Sequence, residues 1–223
     1  MEENNRTTTP YLTDNEKITR AKIALTNAVD PEVAPYLAEY GFTADRIGEG
    51  AAHAEEAQVL TNKQKREYGE QYAATKALAE KKAAAEDVYI KTVKIARIAL
   101  KKMSAAHAAL DLNGRRDRSF AAWLTQARLF YTNLQGSQEW MDAMARFGYT
   151  PEKLAAEAEL IGAVAEAKAK QEKETGEAQR ATHVRDQTID TFLEWMHDFY
   201  TVAEVALQDR PQLREKLGML ERN

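Results

Sequence analysis

Apolar side chains return at spacings of three and four, or multiples of them, along almost the whole chain. From about 44 to 103 the positions Ile47, Ala51, Ala54, Tyr68, Tyr72, Val93, Ala96 and Leu100 follow this rule, which is the period of a helix face. No proline interrupts the segment, and Thr43 stands ahead of it as an N-cap. It predicts one very long helix. A second such segment opens at Thr150-Pro151 and runs to about Asp209, before Pro211. Shorter helices are predicted ahead of each. Ile18, Ile23, Leu25 and Val29 follow Asp14 as a cap, and Asp30-Pro31 opens a second short helix that Gly41 ends. Phe120, Trp123, Leu124, Ala127 and Phe130 or Tyr131 predict a helix near 119–134, and Trp140, Met141 and Met144 a shorter one ending at Gly148. Small terminal pieces carry Leu110 and Leu112, then Leu213, Leu217 and Leu220.

The two halves of this pattern are related. Lys63-Gln64-Lys65-Arg66-Glu67-Tyr68-Gly69-Glu70-Gln71-Tyr72-Ala73-Ala74-Thr75 returns 107 positions later as Lys170-Gln171-Glu172-Lys173-Glu174-Thr175-Gly176-Glu177-Ala178-Gln179-Arg180-Ala181-Thr182, with seven of thirteen residues identical. The same offset carries Gly41-Phe42-Thr43 onto Gly148-Tyr149-Thr150, and Ala96, Ala99 and Leu100 onto Ala203, Ala206 and Leu207. A duplicated helical unit is the simplest source of such a period. The organisation expected is a disordered tail over 1–12, a first repeat over 13–113, a linker over 114–118 and a second repeat over 119–223. The linker reading rests on Asn113-Gly114 followed by Arg115, Arg116, Asp117 and Arg118. The expected fold is all-α: an elongated, pseudo-twofold bundle of two tandem repeats packed as one domain.

Gly69 and Gly176 raise one question of geometry. A helix of about 60 residues would span roughly 90 Å, whereas a hairpin at each glycine would halve that length. Glycine costs about 1 kcal/mol inside a helix, so its recurrence suggests a bend or a close approach of two backbones. Their neighbours are strong helix formers rather than turn residues. If the long helices run antiparallel and cross glycine to glycine, position 69 minus k faces 176 plus k. Gly48, Gly50, Ala51, Ala52 and Ala54 then meet Phe192, Trp195 and Phe199, while Leu160, Ile161 and Val164 meet Ala83, Ala84 and Ala85. Small opposite large is what interdigitating layers need. Continuous antiparallel helices are the reading favoured.

The crossing would gather Gln64, Glu67, Gly69, Glu70 and Thr75 with Gln171, Glu174, Gly176, Glu177 and Thr182. These ten residues are the candidate polar contact between the repeats. They form either a solvated waist with local charge pairs or a network fixing the register of the two copies.

Composition narrows the function by exclusion. Ten glycines, five prolines and abundant Ala, Glu, Lys, Gln and Leu belong to a helical bundle. There is no cysteine, so disulfides, thiolate metal sites and a cysteine nucleophile are excluded. A net charge of −4 gives no general attraction to nucleic acid or anionic membrane. The polar, acidic opening lacks the features of a signal peptide, and no apolar run reaches the roughly 18 residues that span a bilayer. A cytoplasmic location is expected.

Catalytic patterns are missing. None of Ser104, Ser119 and Ser137 sits in a nucleophile elbow, and Gly48-Glu49-Gly50 lacks the strand a phosphate loop requires. No histidine recurs under the offset: His53 pairs with Leu160, His107 with Arg214, His183 with Lys76 and His197 with Ile90. Glu194-Trp195-Met196-His197 has the spacing of a di-metal carboxylate bundle, but its counterpart Asp87-Val88-Tyr89-Ile90 has no histidine. Lys94, Arg97, Lys101 and Lys102 make a basic stripe whose counterparts are Thr201, Glu204, Gln208 and Asp209. No catalytic, cofactor-binding or metal-ligating residue is therefore assigned. The function expected is non-enzymatic: a helical scaffold or self-assembling subunit, partnered by protein and by further copies of itself, and by neither nucleic acid nor membrane. The alternative is a bundle holding a small ligand or metal ion between the repeated helices.

Overall fold

A computed structural model describes residues 12–114 and 119–219, so all but the last residue of the expected tail over 1–12, most of the linker, and Leu220 lie outside the described residues. The described chain is all-α. Its helices run in the order α1 (Asp14–Ala28), α2 (Ala34–Glu39), α3 (Ala44–Ala99), α4 (Ser104–Ala109), α5 (Phe120–Gln135), α6 (Gln138–Ala145), α7 (Pro151–Ala206) and α8 (Pro211–Lys216). The offset of 107 maps α3 onto α7, and α4 onto α8, residue for residue. Both long segments are continuous helices, and neither folds back at Gly69 or Gly176.

The chain divides into two compact units that cut across the sequence repeats. We call them terminal and central. The terminal unit joins the chain up to Tyr68 with Glu177 onward, and the central unit is Gly69–Gly176. Each therefore takes the start of one long helix and the end of the other. Under the offset, the elements of one unit become those of its fellow.

In the terminal unit, α1, α2 and α8 pack on residues 47–57 of α3 and 189–206 of α7, around Ile18, Leu25, Leu37, Phe42, Ile47, Phe192 and Phe199. In the central unit, α4, α5 and α6 close over residues 85–99 of α3 and the start of α7, around Tyr89, Val93, Trp123, Phe130, Leu134, Leu154 and Ile161. Each such side chain taken from water contributes about 1.5–3 kcal/mol. Within each unit the two long helices run antiparallel. Phe42 meets Phe199 and Gly50 meets Trp195 in the first. In the second, Thr92 meets Glu157, while Ala74 shares a cleft with Lys170.

Local chemistry sets the ends. Thr13, rather than Asp14, caps α1: its hydroxyl accepts from the Glu16 N–H at 3.3 Å, and the Glu16 carboxylate accepts from the Thr13 N–H at 2.7 Å. The Thr13 hydroxyl, which donates to that carboxylate at 2.7 Å, and next the Thr13 N–H hold the exposed Glu16 carboxyl below its usual range. The second helix starts at Ala34 and not at Pro31, because Asp30 folds the chain into a turn first. Its side chain accepts from the Glu32 N–H at 2.8 Å, and its carbonyl from Val33 and Ala34 at 2.9 Å. Gly41 and Gly148 take φ of 83° and 78° after α2 and α6, a left-handed step that glycine makes without strain. The long helices stop at Ala99 and Ala206, short of the expected 103 and 209. The chain turns there so that α4 and α8 can fold back. In both units an asparagine near the end of the first helix holds that short helix: Asn27 donates to the Lys216 carbonyl at 2.6 Å and Asn133 to the Ala109 carbonyl at 2.7 Å.

Candidate functional site

The ten waist residues divide between the units. Gln64, Glu67, Glu177 and Thr182 fall in the terminal unit, all half-buried; Gly69, Glu70, Thr75, Gln171, Glu174 and Gly176 fall in the central unit. Glu174 is buried, Gln171 half-buried, and the other four central residues exposed. The hydrogen bonds of Gln171 and Thr182 are local. Gln171 donates to the Thr175 hydroxyl at 3.0 Å and accepts from Lys168 at 2.9 Å, while Thr182 returns its hydroxyl to the Ala178 carbonyl at 2.9 Å. Arg66 lies 3.7 Å from Glu67, its neighbour in sequence. The repeated glycines make no close approach: a Cβ at Gly69 or Gly176 would meet nothing within 4 Å. Their recurrence therefore marks no tight packing of a neighbour against either glycine.

Within the central unit, Glu70 and Glu174 come together at a cleft of about 560 Å³. Ala73, Ala74, Ala77 and Ala167 form its floor, and Lys81, Glu166 and Lys170 complete the rim. The cleft exists because alanines face one another where the short helices no longer cover the pair. It is open, with charge of both signs around it.

A second polar cluster went unnoticed in the sequence. Glu157 is buried on α7, and its carboxylate Oε2 accepts from the Thr92 hydroxyl at 2.7 Å and the Tyr131 hydroxyl at 3.0 Å. Burial, and next the Glu157 charge, push the Tyr131 phenol well above its ordinary pKa. This cluster ties α3, α5 and α7 of the central unit together. The signal was the spacing Leu154, Glu157, Ile161, Val164, which places Glu157 on the line of buried positions. Its equivalent, Gly50, lies on the buried line Ile47, Gly50, Ala54, Ala57.

Large apolar side chains also stand exposed, and two of these positions recur. Tyr40 is 51% exposed and its equivalent Phe147 47%; Ile98 is 54% exposed and its equivalent Val205 50%. Core positions of a duplicated fold are expected to match, because packing demands it. Matched exposure of aromatic and branched residues has no such cause among the described residues.

Several of the remaining chemical residues serve the fold. Ser119 and Ser137 cap α5 and α6. Arg97 of the basic stripe donates to the Leu112 carbonyl at 2.9 Å and the Gly114 carbonyl at 3.2 Å, closing the loop after α4. His107 contacts the Asn113 side chain at 2.8 Å, and Glu194 and His197 are exposed. Of the aromatic stripe, Phe192 and Phe199 are core, and Trp195 stacks on Phe199 with centroids 5.8 Å apart. Among the described residues no three of His, Asp and Glu converge as metal ligands do, and no helix is long and apolar enough to cross a membrane. Comparison with known protein families, with curated proteins and with solved structures returns no significant match to this chain.

Proposed function

We propose that the protein is a non-enzymatic helical scaffold, a subunit that works through protein–protein contacts and assembles with copies of itself. The observation that carries this reading is the paired exposure of Tyr40 with Phe147 and of Ile98 with Val205. A duplicated fold that keeps large apolar side chains in water at the same two places has a use for them there. Aromatic residues are the kind that protein interfaces favour. Light scattering on the eluting protein over a range of concentrations tests the reading. A species heavier than the 25.1 kDa chain is expected; a mass fixed at that of one chain under every condition would remove the self-assembly part.

A second reading has one observation behind it. The alanine-floored cleft of the central unit, about 560 Å³ with Glu70, Lys81, Glu166, Lys170 and Glu174 at its edge, has room for a small polar molecule. Native mass spectrometry of the purified protein checks it, since a retained ligand adds a discrete mass that unfolding removes.

A further inference from the structure

In the central unit the end of α3 lies against α6, leaving a groove of about 570 Å³. Its large exposed apolar side chains are Ile98 and Phe147, and Lys101, Lys102 and Arg146 line it with them. Glu139 and Asp142 also line it, and Asp142 accepts from the Gln138 amide at 2.8 Å. The offset carries the apolar pair onto Val205 and Tyr40 of the terminal unit, but it carries Lys101, Lys102 and Arg146 onto Gln208, Asp209 and Glu39. Arg97, next to Ile98 in sequence, becomes Glu204. Glu139 becomes Glu32, which Lys216 holds at 2.5 Å, and Asp142 becomes Pro35. The duplication has thus kept an exposed apolar pair twice while changing the charge beside it from basic to acidic.

The terminal surface is built as the central one is. Met103 and Ala143 share the central groove; their equivalents Arg210 and Tyr36 meet in the terminal unit, the guanidinium 3.9 Å from the ring centroid. Arg210 is thereby engaged with Tyr36, and Glu39, Glu204 and Asp209 remain exposed nearby in sequence. All four apolar side chains are about half exposed, so nothing among the described residues covers them.

We propose that the basic Ile98–Phe147 groove of one copy docks on the acidic Tyr40–Val205 surface of a second copy. This inference rests on the self-assembly reading and names its contact. Unlike surfaces pair better than like ones, since they bring Lys102 and Arg146 toward Glu39 and Asp209 where like surfaces set more charges of one sign together. The apolar pairs supply the area removed from water, and the charges select and orient the partner. Every copy carries both surfaces, so each contact leaves one of each kind unused. Such head-to-tail contacts continue until a ring closes or a filament grows.

A charge exchange tests the contact. Two variants are made, Lys102→Glu/Arg146→Glu and Glu39→Lys/Asp209→Lys, and far-UV circular dichroism verifies that both keep the helicity of the parent. The expected result is a parent mass that rises with concentration and falls with salt. Each variant alone should fall to the 25.1 kDa of one chain, and an equimolar mixture should regain the assembled mass. Variants that assemble as the parent does would overturn this contact and leave the self-assembly reading standing. A mixture that stays at 25.1 kDa would also overturn the contact, because the exchanged charges then do not meet. A parent that is one chain at every concentration and at low salt would overturn contact and reading together.

Discussion

Trp195 lies on Gly50, with its six-membered ring occupying the space that a Cβ at position 50 would fill. The ring stacks on Phe199 and meets the edge of Phe42, so it has little freedom to withdraw. The central unit solves the equivalent layer the other way. Gly50 becomes Glu157, Trp195 becomes Val88, Phe199 becomes Thr92 and Ala24 becomes Tyr131. A glycine and an alanine under two large rings are replaced by a glutamate and a tyrosine over a valine and a threonine. Volume is redistributed between the facing helices, and a dry aromatic stack becomes a hydrogen-bonded carboxylate. Once the copies had diverged in this way, each side chain fitted only its own partner.

Gly50→Val should therefore overpack the terminal unit and cost about 2 kcal/mol. Trp195→Val, which empties the same layer, should cost about 3 kcal/mol. The double variant should lose less than the sum by about 1–2 kcal/mol, because the valine at 50 then has room. Urea unfolding followed by circular dichroism measures all three. Strict additivity would mean that the two residues do not share the space.

Gly69→Ala and Gly176→Ala should act in the opposite direction. Both glycines are helical, and a methyl group at either meets nothing within 4 Å. Each substitution should raise stability by about 1 kcal/mol through backbone entropy alone. A loss at either position would reveal a neighbour at the waist and restore the idea of a close crossing.

The contrast between these glycines shows where the sequence was informative. The offset of 107 predicted matching long helices, and α3 and α7 do match. The antiparallel pairing rule, applied to residue sizes, already set Gly50 opposite Trp195, since size complementarity can be read from composition at fixed register. At Gly69 and Gly176 no neighbour lies within 4 Å of a Cβ, and a repeated glycine carries no mark in the sequence of why it recurs. Asp30-Pro31 resembled a helix start, yet the Asp30 carboxylate caps a turn, and the two geometries use the same residues. Glu157 was hidden among many glutamates. Only its place on the buried 3-4 line distinguished it, and a charged residue there ran against the expectation that such positions are apolar. The exposed pairs of the candidate interface were legible as repeated apolar residues but not as exposed ones, because exposure depends on where α4, α6 and α8 end.

Glu157→Ala should destabilise the central unit by about 2 kcal/mol, most of it through Tyr131. Thr92 can turn its hydroxyl to the Val88 carbonyl, 3.1 Å away, whereas the Tyr131 hydroxyl loses the carboxylate and keeps only the Thr92 hydroxyl beside it. A buried donor without a partner costs about 1–3 kcal/mol. Tyr131→Phe should cost less, and in the double variant the loss of the acceptor should matter far less than it does alone. A coupling near zero in this cycle would show that the 3.0 Å contact contributes nothing to stability.

The same pair fixes how the fold responds to alkali. The folded Tyr131 phenol is held above its ordinary value of 10.0, first by burial and then by the Glu157 charge. In the unfolded chain it titrates near that ordinary value. Below about pH 10 both states keep the proton and the full stability is present. As pH rises further, the unfolded state gives up a proton that the native state retains, and stability falls at a slope approaching 1.4 kcal/mol per pH unit for this group. Tyr200, raised in the same direction by burial with Arg20 opposing, adds to the loss in the terminal unit. Urea midpoints measured between about pH 8 and 11 should drop for the parent protein. Tyr131→Phe should flatten the decline. Glu157→Gln should flatten it only in part, because burial is the larger cause and stays. An equal decline in Tyr131→Phe would assign the alkaline loss to groups other than this buried phenol.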